Sequence, residues 1–308
     1  MTFAYRIRFH FCKDNRIDSD QVSVEFTIDG HPFRLIAATG KSFKESDAVV
    51  LSSRGFDTEA EALAHGEKIK KCLSLCGAML RHGIDAGKEK ALSWASRPLR
   101  KIFEEQGAQL INDVHGLTVY SDDIETKLIT GFPLRISVSS QPEQFISALE
   151  TAYNLSPEFG EKEKIAFDLY NSSFFETSKK ARFLTLISAV EALSEPDKEK
   201  QEVIELIDEL ITHLKESALD KTEKMIVASR LGSLKRKSIS ASARQLIQKY
   251  LNKDEAGIYG NFYTIRSGLL HDGTLRCKEN EFREKLSQLN DMVSRLLIEI
   301  MESKAINP

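Results

Sequence analysis

The segment NFYTIRSGLLHDG, residues 261–273, contains an arginine and a histidine five positions apart, Arg266 and His271. Histidine titrates near neutral pH, so its imidazole can take up or release a proton during a reaction. Arginine stays charged and offers a planar fork of N–H donors that matches phosphate oxygens. These two residue types could therefore carry out acid–base chemistry beside a phosphate group.

The spacing of Arg266 and His271 allows two interpretations. In an uninterrupted α-helix, five residues correspond to about 140° of rotation, so the two side chains would lie on different faces. His271 precedes Asp272 and Gly273, which predicts a helix end where a histidine interacts favourably with the last carbonyl groups. The alternative is a reactive site. At a helix end His271 can leave the helical direction, and two-fold packing against a second copy would bring both pairs into one cleft.

Two segments, YTIRSGLLHDG and the earlier ARFLTLISAVEAL, together resemble the Apea-like branch of the HEPN superfamily. The first is similar to the family's Arg-x4-His signature, and the second, which contains Glu191, is similar to an early helix of that branch. The resemblance covers residues 142–308 and implies an all-α HEPN-like helical bundle. It also implies a metal-independent endoribonuclease that needs no cofactor and acts as a homodimer, in phage defence or toxin systems.

The resemblance assigns catalysis to Arg266 and His271, and the chemistry of RNA cleavage suits both residues. Cleavage without a metal needs a base for the 2′-OH, an acid for the 5′ leaving oxygen and a cation for the phosphorane. His271 can fill either of the first two roles, and Arg266 can fill the third. Ser267 stands where many family members carry asparagine, and its shorter side chain can still hydrogen-bond the phosphate or the 2′-OH.

Two carboxylates near the motif allow two interpretations each. Asp272 either orients the imidazole of His271 or only caps the turn. Glu191 either holds Arg266 in place or is an exposed carboxylate on its helix. The function has alternatives as well: a non-catalytic HEPN module that binds RNA or a protein, or a bundle that serves only for dimerisation.

Charge is unevenly distributed, although the net charge is only −3. Residues 191–223 contain eleven acidic side chains against four lysines, whereas residues 230–253 contain seven basic side chains and no acidic one. Such a basic segment is either a solvated face or a surface for a polyanion. On the second interpretation RNA phosphates contact its first basic residues, which are Arg230, Lys235, Arg236 and Lys237.

The secondary structure predicted around the motif changes near residue 140, from mainly strands to helices. Before it, period-two alternation predicts strands over residues 3–11 and in VSVEFTI, FRLIAA, AVVLSS, GLTVYS and FPLRISVSS, with a DGHP turn after the second. Thr58 and Glu61 have capping-box spacing and predict a long helix that stops near Gly83. After Pro142 apolar residues recur at helical spacing in eight segments.

We therefore expect an α+β domain over residues 1–140, followed by a helical domain over residues 141–308. The resemblance implies that the first domain senses a trigger or binds a target. No apolar run approaches the roughly 20 residues that span a bilayer, and the first residues lack the apolar core of a signal peptide. These features predict a cytoplasmic protein that does not enter membranes. The other histidines are scattered without metal-ligand spacing, so no metal site is expected.

Overall fold

The computed structural model describes residues 2–12, 16–91, 97–123, 125–129, 139–275 and 277–306. A region of antiparallel sheet precedes a region of helices, which confirms the predicted order of an α+β part and an all-helical part. The strands are β1 (Phe3–Phe11), β2 (Arg16–Ile17), β3 (Ser23–Ile28), β4 (His31–Ala37), β5 (Ala48–Phe56), β6 (Ile84–Asp85), β7 (Lys90–Ala91), β8 (Ala108–Asn112), β9 (Val114–Ser121), β10 (Glu125–Ile129) and β11 (Ser139–Ser140). The α-helices are α1 (Glu59–Leu80), α2 (Arg97–Glu105), α3 (Pro142–Leu155), α4 (Glu161–Ser173), α5 (Lys179–Leu193), α6 (Gln201–Glu216), α7 (Lys221–Ser233), α8 (Ile239–Tyr250), α9 (Lys253–Ser267) and α10 (Glu279–Ile306).

The main sheet has the strand order β3-β4-β5-β1-β9-β7, and its neighbouring strands are antiparallel. β3 and β4 form a hairpin with a two-residue turn at Asp29 and Gly30, both with positive φ, as the Asp-Gly signal predicts. β10 pairs with β8 and β11 with β2, in both cases in parallel. The sequence predicted neither β8 nor β10. Most of the strand predicted from FPLRISVSS lies outside the described residues.

The central strand β1 is buried on both faces, although its sequence alternates apolar and charged residues. Its apolar side chains, such as Ile7, belong to the hydrophobic core. The opposite face carries Arg6 and Arg8, which are 6% and 4% exposed. Both guanidinium groups pair with the buried carboxylate of Asp113, at 3.1 Å in the case of Arg6. Pairing with Asp113 makes this burial tolerable, because an isolated charge would lose its hydration without compensation.

Helix α1 begins with the predicted capping box, in which the Thr58 hydroxyl accepts from the Glu61 amide and the Glu61 carboxylate accepts from the Thr58 amide. It ends before the predicted stop at Gly83, because Arg81 adopts the left-handed conformation with φ 55°. α1 packs against β1 and β9 on one side and against α3, α4 and α10 on the other. Buried side chains of both halves consequently form one continuous hydrophobic core.

The change from strands to helices falls at Pro142, which occupies the first turn of α3. The division into two domains at this point, and the likeness of the helical part to a HEPN bundle, stay predictions. Among the described residues, no helix combines the length and apolar character that crossing a bilayer requires.

Candidate functional site

The Arg-x4-His segment forms the end of α9 and a wider turn that continues it. The Asn252 side chain caps the start of α9 by accepting from the Glu255 amide at 2.9 Å. After Ser267 the backbone changes to a π-helical turn over Gly268–Asp272, which the Gly273 amide closes by donating to the Gly268 carbonyl. Gly273 then ends the helix with φ 66°, a conformation that glycine adopts without strain.

This π-turn changes the expected geometry of Arg266 and His271. The 140° separation assumed an uninterrupted α-helix, and the structure has an α-helix only as far as Ser267. In a π-turn the hydrogen bonds join residues five apart, so one turn takes more residues than in an α-helix. Because His271 lies inside the wider turn, the angle about the helix axis between His271 and Arg266 is smaller than 140°. The two side chains therefore lie closer to one face than their spacing alone predicts.

Arg266 is held by Glu191, which lies 75 residues earlier near the end of α5. The Nη2 atom of Arg266 is 3.3 Å from Oε1 and 3.5 Å from Oε2 of Glu191. The two side chains are only 24% and 17% exposed. Of the two interpretations of Glu191, the structure therefore supports contact with Arg266 and excludes an exposed carboxylate. Arg266 also counteracts the unfavourable position of Glu191 near the negative end of its own helix.

Two tyrosines of α9 complete the surroundings of Arg266. The guanidinium carbon lies 5.2 Å from the ring centroid of Tyr263, within range of a cation–π interaction. Tyr259 is fully buried, and its hydroxyl has no hydrogen-bond partner among the described residues. Burial, together with the nearby charge of Glu191, raises the pKa of Tyr259 well above its ordinary value. Neither tyrosine was predicted from the sequence, although their positions seven and three residues before Arg266 put all three on one helical face.

The remaining residues of the motif lie around Arg266 in different environments. Ser267 is half-buried at the junction between α9 and the π-turn, whereas His271 and Asp272 are exposed. Within the described part of the chain, the His271 ring makes no hydrogen bond or ion pair. The two interpretations of Asp272 both stay open. The site thus combines a fixed arginine with an imidazole that is accessible to solvent.

The predicted RNA-binding residues fall into two pairs. Lys235 forms a salt bridge with Asp208 of α6, and Lys237 lies 3.8 Å from the carboxylate of Asp197. Arg230 and Arg236 are exposed and make no side-chain ion pair within the described residues. The acidic and basic segments of the sequence therefore partly neutralise each other. Of the four predicted residues, the two arginines have no carboxylate partner within the described part of the chain.

Histidines that look scattered in the sequence meet in the folded chain. The rings of His31 and His65 are 4.5 Å apart, and Nδ1 of His65 lies 2.9 Å from the Tyr5 hydroxyl. The rings of His10 and His115 are 4.6 Å apart. Burial, reinforced by the second histidine, lowers the pKa of His10 and of His65 to about 4.

Nε2 of His115 lies 3.0 Å from the Asp85 carboxylate, and both residues line a groove of about 960 Å³ beside α1 and α4. In the described ranges, no three histidine, cysteine, aspartate or glutamate side chains cluster closely enough to hold a metal ion.

No family model matches the chain, and no curated protein or solved structure matches it either.

Proposed function

We propose that this chain is a metal-independent endoribonuclease that cleaves RNA at a composite site in a HEPN-like homodimer. The observation that carries the proposal is that a fixed Arg266 and an accessible His271 both lie at the end of one helix. Glu191 fixes Arg266, so the guanidinium loses little side-chain entropy when it binds a phosphate. The exposed imidazole can exchange protons with a substrate or with water.

The reaction balances with these groups alone. A base takes the proton of the 2′-OH, and the 2′ oxygen forms a bond to phosphorus. The bond from phosphorus to the 5′ oxygen then breaks as an acid protonates that oxygen. The products carry a 2′,3′-cyclic phosphate and a free 5′-OH. In a dimer, His271 of one copy serves as the base and His271 of the other as the acid, while Arg266 stabilises the charge of the phosphorane.

The surrounding residues have supporting roles in this proposal. Ser267 hydrogen-bonds the phosphate or the 2′-OH, and Asp272 orients His271 or caps the turn. Arg230 and Arg236 attract the RNA backbone, whereas Lys235 and Lys237 contribute less because of their carboxylate partners. The α+β part senses a phage or host trigger or binds a target. The activity serves phage defence or toxin-type growth arrest in the cytoplasm.

A second candidate is a non-catalytic module that binds RNA or a protein. One observation favours it: the Glu191 carboxylate already neutralises part of the charge that Arg266 would offer to a phosphorane. On this view the pair joins α5 to α9, and His271 only stabilises a helix end.

An RNA cleavage assay with the full chain in EDTA separates the two candidates. We expect His271→Ala to lower the cleavage rate by about 10²–10⁴-fold, the usual contribution of a general acid or base. His213→Ala is the matched control, because the His213 side chain is 82% exposed and lies on another helix. Products should carry 2′,3′-cyclic phosphate ends in mass spectrometry. RNA binding without cleavage by the wild type, or equal cleavage by His271→Ala, would leave the binding module as the function.

A further inference from the structure

The face of the main sheet opposite the hydrophobic core carries a pocket of about 490 Å³. Among the side chains that line it are Arg34 of β4, Ser52 and Arg54 of β5, and Tyr120 of β9. We call this cavity the sheet pocket. Pockets of roughly 300–1,000 Å³ are typical of sites for small molecules, so the sheet pocket has room for one ligand of that size.

The strand register places three arginines around Ser52. Arg34 on β4 and Arg6 on β1 are the residues paired with Ser52, one on each side of it. Arg54 lies two positions after Ser52 on β5, so its side chain points to the same face of the sheet. On one face, paired residues have Cβ atoms about 4.5–5.5 Å apart and diagonal neighbours about 7–8 Å apart. Three positive charges therefore lie around the floor of the sheet pocket.

Two of these arginines are accessible to a ligand. Arg54 is exposed, and within the described ranges its side chain makes no ion pair. Arg34 has a carboxylate partner in Glu25 at 3.6 Å, but both side chains are largely exposed, so this pair contributes little stability. A phosphate group offers several acceptor oxygens together with a negative charge, which matches the donors of two guanidinium groups.

Buried charge beside the pocket adds to the attraction for an anion. Arg6, the third arginine, is buried next to Ser52 and acts through its charge and not through contact. Arg6 and Arg8 both pair with Asp113, so in these ion pairs two positive charges face one negative charge. Salt screens buried charges far less than exposed ones. The excess positive charge therefore favours an anion in the sheet pocket.

Tyr120 adds an aromatic surface to the sheet pocket. In the register, Ala4 of β1 lies between Arg54 and Tyr120. Burial and the charge of Asp122 raise the pKa of the Tyr120 phenol, whereas Arg6 and Arg54 act in the opposite direction. Both guanidinium charges therefore lie close to the phenol. An aromatic ring beside phosphate-binding arginines suits a nucleotide, because a base can stack on the ring.

Carboxylates favour a single nucleotide over an RNA strand as the ligand. Glu25 of β3 and Asp122, which follows β9, both line the sheet pocket. A carboxylate accepts hydrogen bonds from ribose hydroxyls. It also repels the phosphates that precede and follow each nucleotide in a strand, whereas grooves for single-stranded RNA are positively charged along the backbone. A free nucleotide therefore fits the charges of this pocket better than a polynucleotide.

We propose that the sheet pocket binds a free nucleotide, with its phosphates at Arg34 and Arg54 and its base against Tyr120. The ribose hydroxyls then donate to the carboxylates at the rim of the pocket. The inference goes beyond the proposed RNA cleavage, since it depends only on the main sheet and not on Arg266 or His271.

Isothermal titration calorimetry of the full chain with ATP, GTP, CTP and UTP tests this site. We expect at least one of them to bind with a micromolar dissociation constant. Its nucleoside and inorganic triphosphate should each bind at least about tenfold more weakly, because each lacks part of the contacts. Arg34→Gln and Arg54→Gln should each raise the dissociation constant at least about tenfold, the usual loss for one hydrogen bond to a charged group. Arg283→Gln is the matched control, because Arg283 is exposed on α10 and does not line the pocket.

Tyr120 provides a second readout. Tyr120→Leu should weaken nucleotide binding about tenfold, from the stacking energy of one base, and should leave the binding of inorganic triphosphate unchanged. Tyr120→Phe should keep the affinity of the wild type, because it retains the ring. Arg266→Gln should bind the nucleotide as tightly as the wild type, which separates this pocket from the site proposed for RNA cleavage.

Three results would overturn the proposal. The first is that none of the four nucleotides binds, and the second is that binding survives the combined Arg34→Gln and Arg54→Gln changes. The third is that a short single-stranded RNA displaces the nucleotide at lower concentration than the free nucleotide itself. Circular dichroism of the arginine variants should match the wild type, because both side chains are exposed. RNA cleavage is not measured in these titrations, so its absence would leave the result unaffected.

Discussion

The contact between Glu191 and Arg266 makes a quantitative prediction about the coupling of α5 to α9. Glu191→Gln removes the negative charge while keeping the size of the side chain, and Arg266→Gln removes the positive charge. Each single change leaves the other charge partly buried without its partner, which costs about 1–3 kcal/mol of unfolding free energy. The double variant has no uncompensated charge. The two single effects should therefore sum to more than the effect of the double change.

The size of this coupling follows from the distance and the burial. At 3.3 Å, two unit charges attract by about 5 kcal/mol for an effective dielectric constant of about 20. Loss of hydration cancels much of this attraction. The exposed fractions of 24% and 17% add solvent screening. We therefore expect a coupling free energy of about 1–2 kcal/mol.

Urea denaturation followed by circular dichroism measures this coupling in the four proteins of the cycle. The control is the pair of Lys162 and Glu195, which has a similar distance of 3.0 Å but exposed fractions of 48% and 78%. Its coupling should be below about 0.5 kcal/mol, as is usual for exposed pairs. Equal couplings in both cycles, or a value near zero for Glu191 and Arg266, would refute the argument that burial strengthens the contact at the site.

Two further predictions concern pH and salt. The pKa of His65 is lowered from 6.5 to about 4 in the folded chain. Between these two pH values the unfolded chain therefore binds more protons than the folded chain. The free energy of unfolding should fall as the pH drops from about 6.5 to about 4. His65→Gln should make this dependence less steep in urea denaturation at several pH values, while the similarly lowered pKa of His10 preserves part of it. An unchanged slope would exclude His65 as a source. Arg230→Glu combined with Arg236→Glu should weaken RNA binding and reduce the slope of log K against log salt by about 1.4, from about 0.7 per phosphate contact on a single strand. An unchanged slope would identify both arginines as part of a solvated face.

Interactions between residues close in sequence determined much of this protein without tertiary information. The Thr58 capping box, the Asp-Gly turn at Asp29 and the alternation of β1 each depend on neighbours within a few positions. Apolar spacing likewise predicted the change from strands to helices, because each periodicity reflects local backbone geometry. Residue types and the resemblance to the Arg-x4-His signature made Arg266 and His271 candidates, and the Asp-Gly pair after His271 predicted a helix end there.

Tertiary structure alone decided which distant residues meet. Glu191 contacts Arg266 although the two residues are 75 positions apart in the sequence. Neither the residue type nor the spacing of Glu191 distinguishes a carboxylate that makes this contact from an exposed one. The pairing of Lys235 with Asp208 was equally invisible in the sequence, because it depends on which distant segments pack together. The wider turn after Ser267 was not predicted either. The burial of Arg8 beside Asp113 is a second example. A charged side chain in a strand normally indicates an exposed face, but here a carboxylate distant in sequence compensates the charge and allows it to be buried.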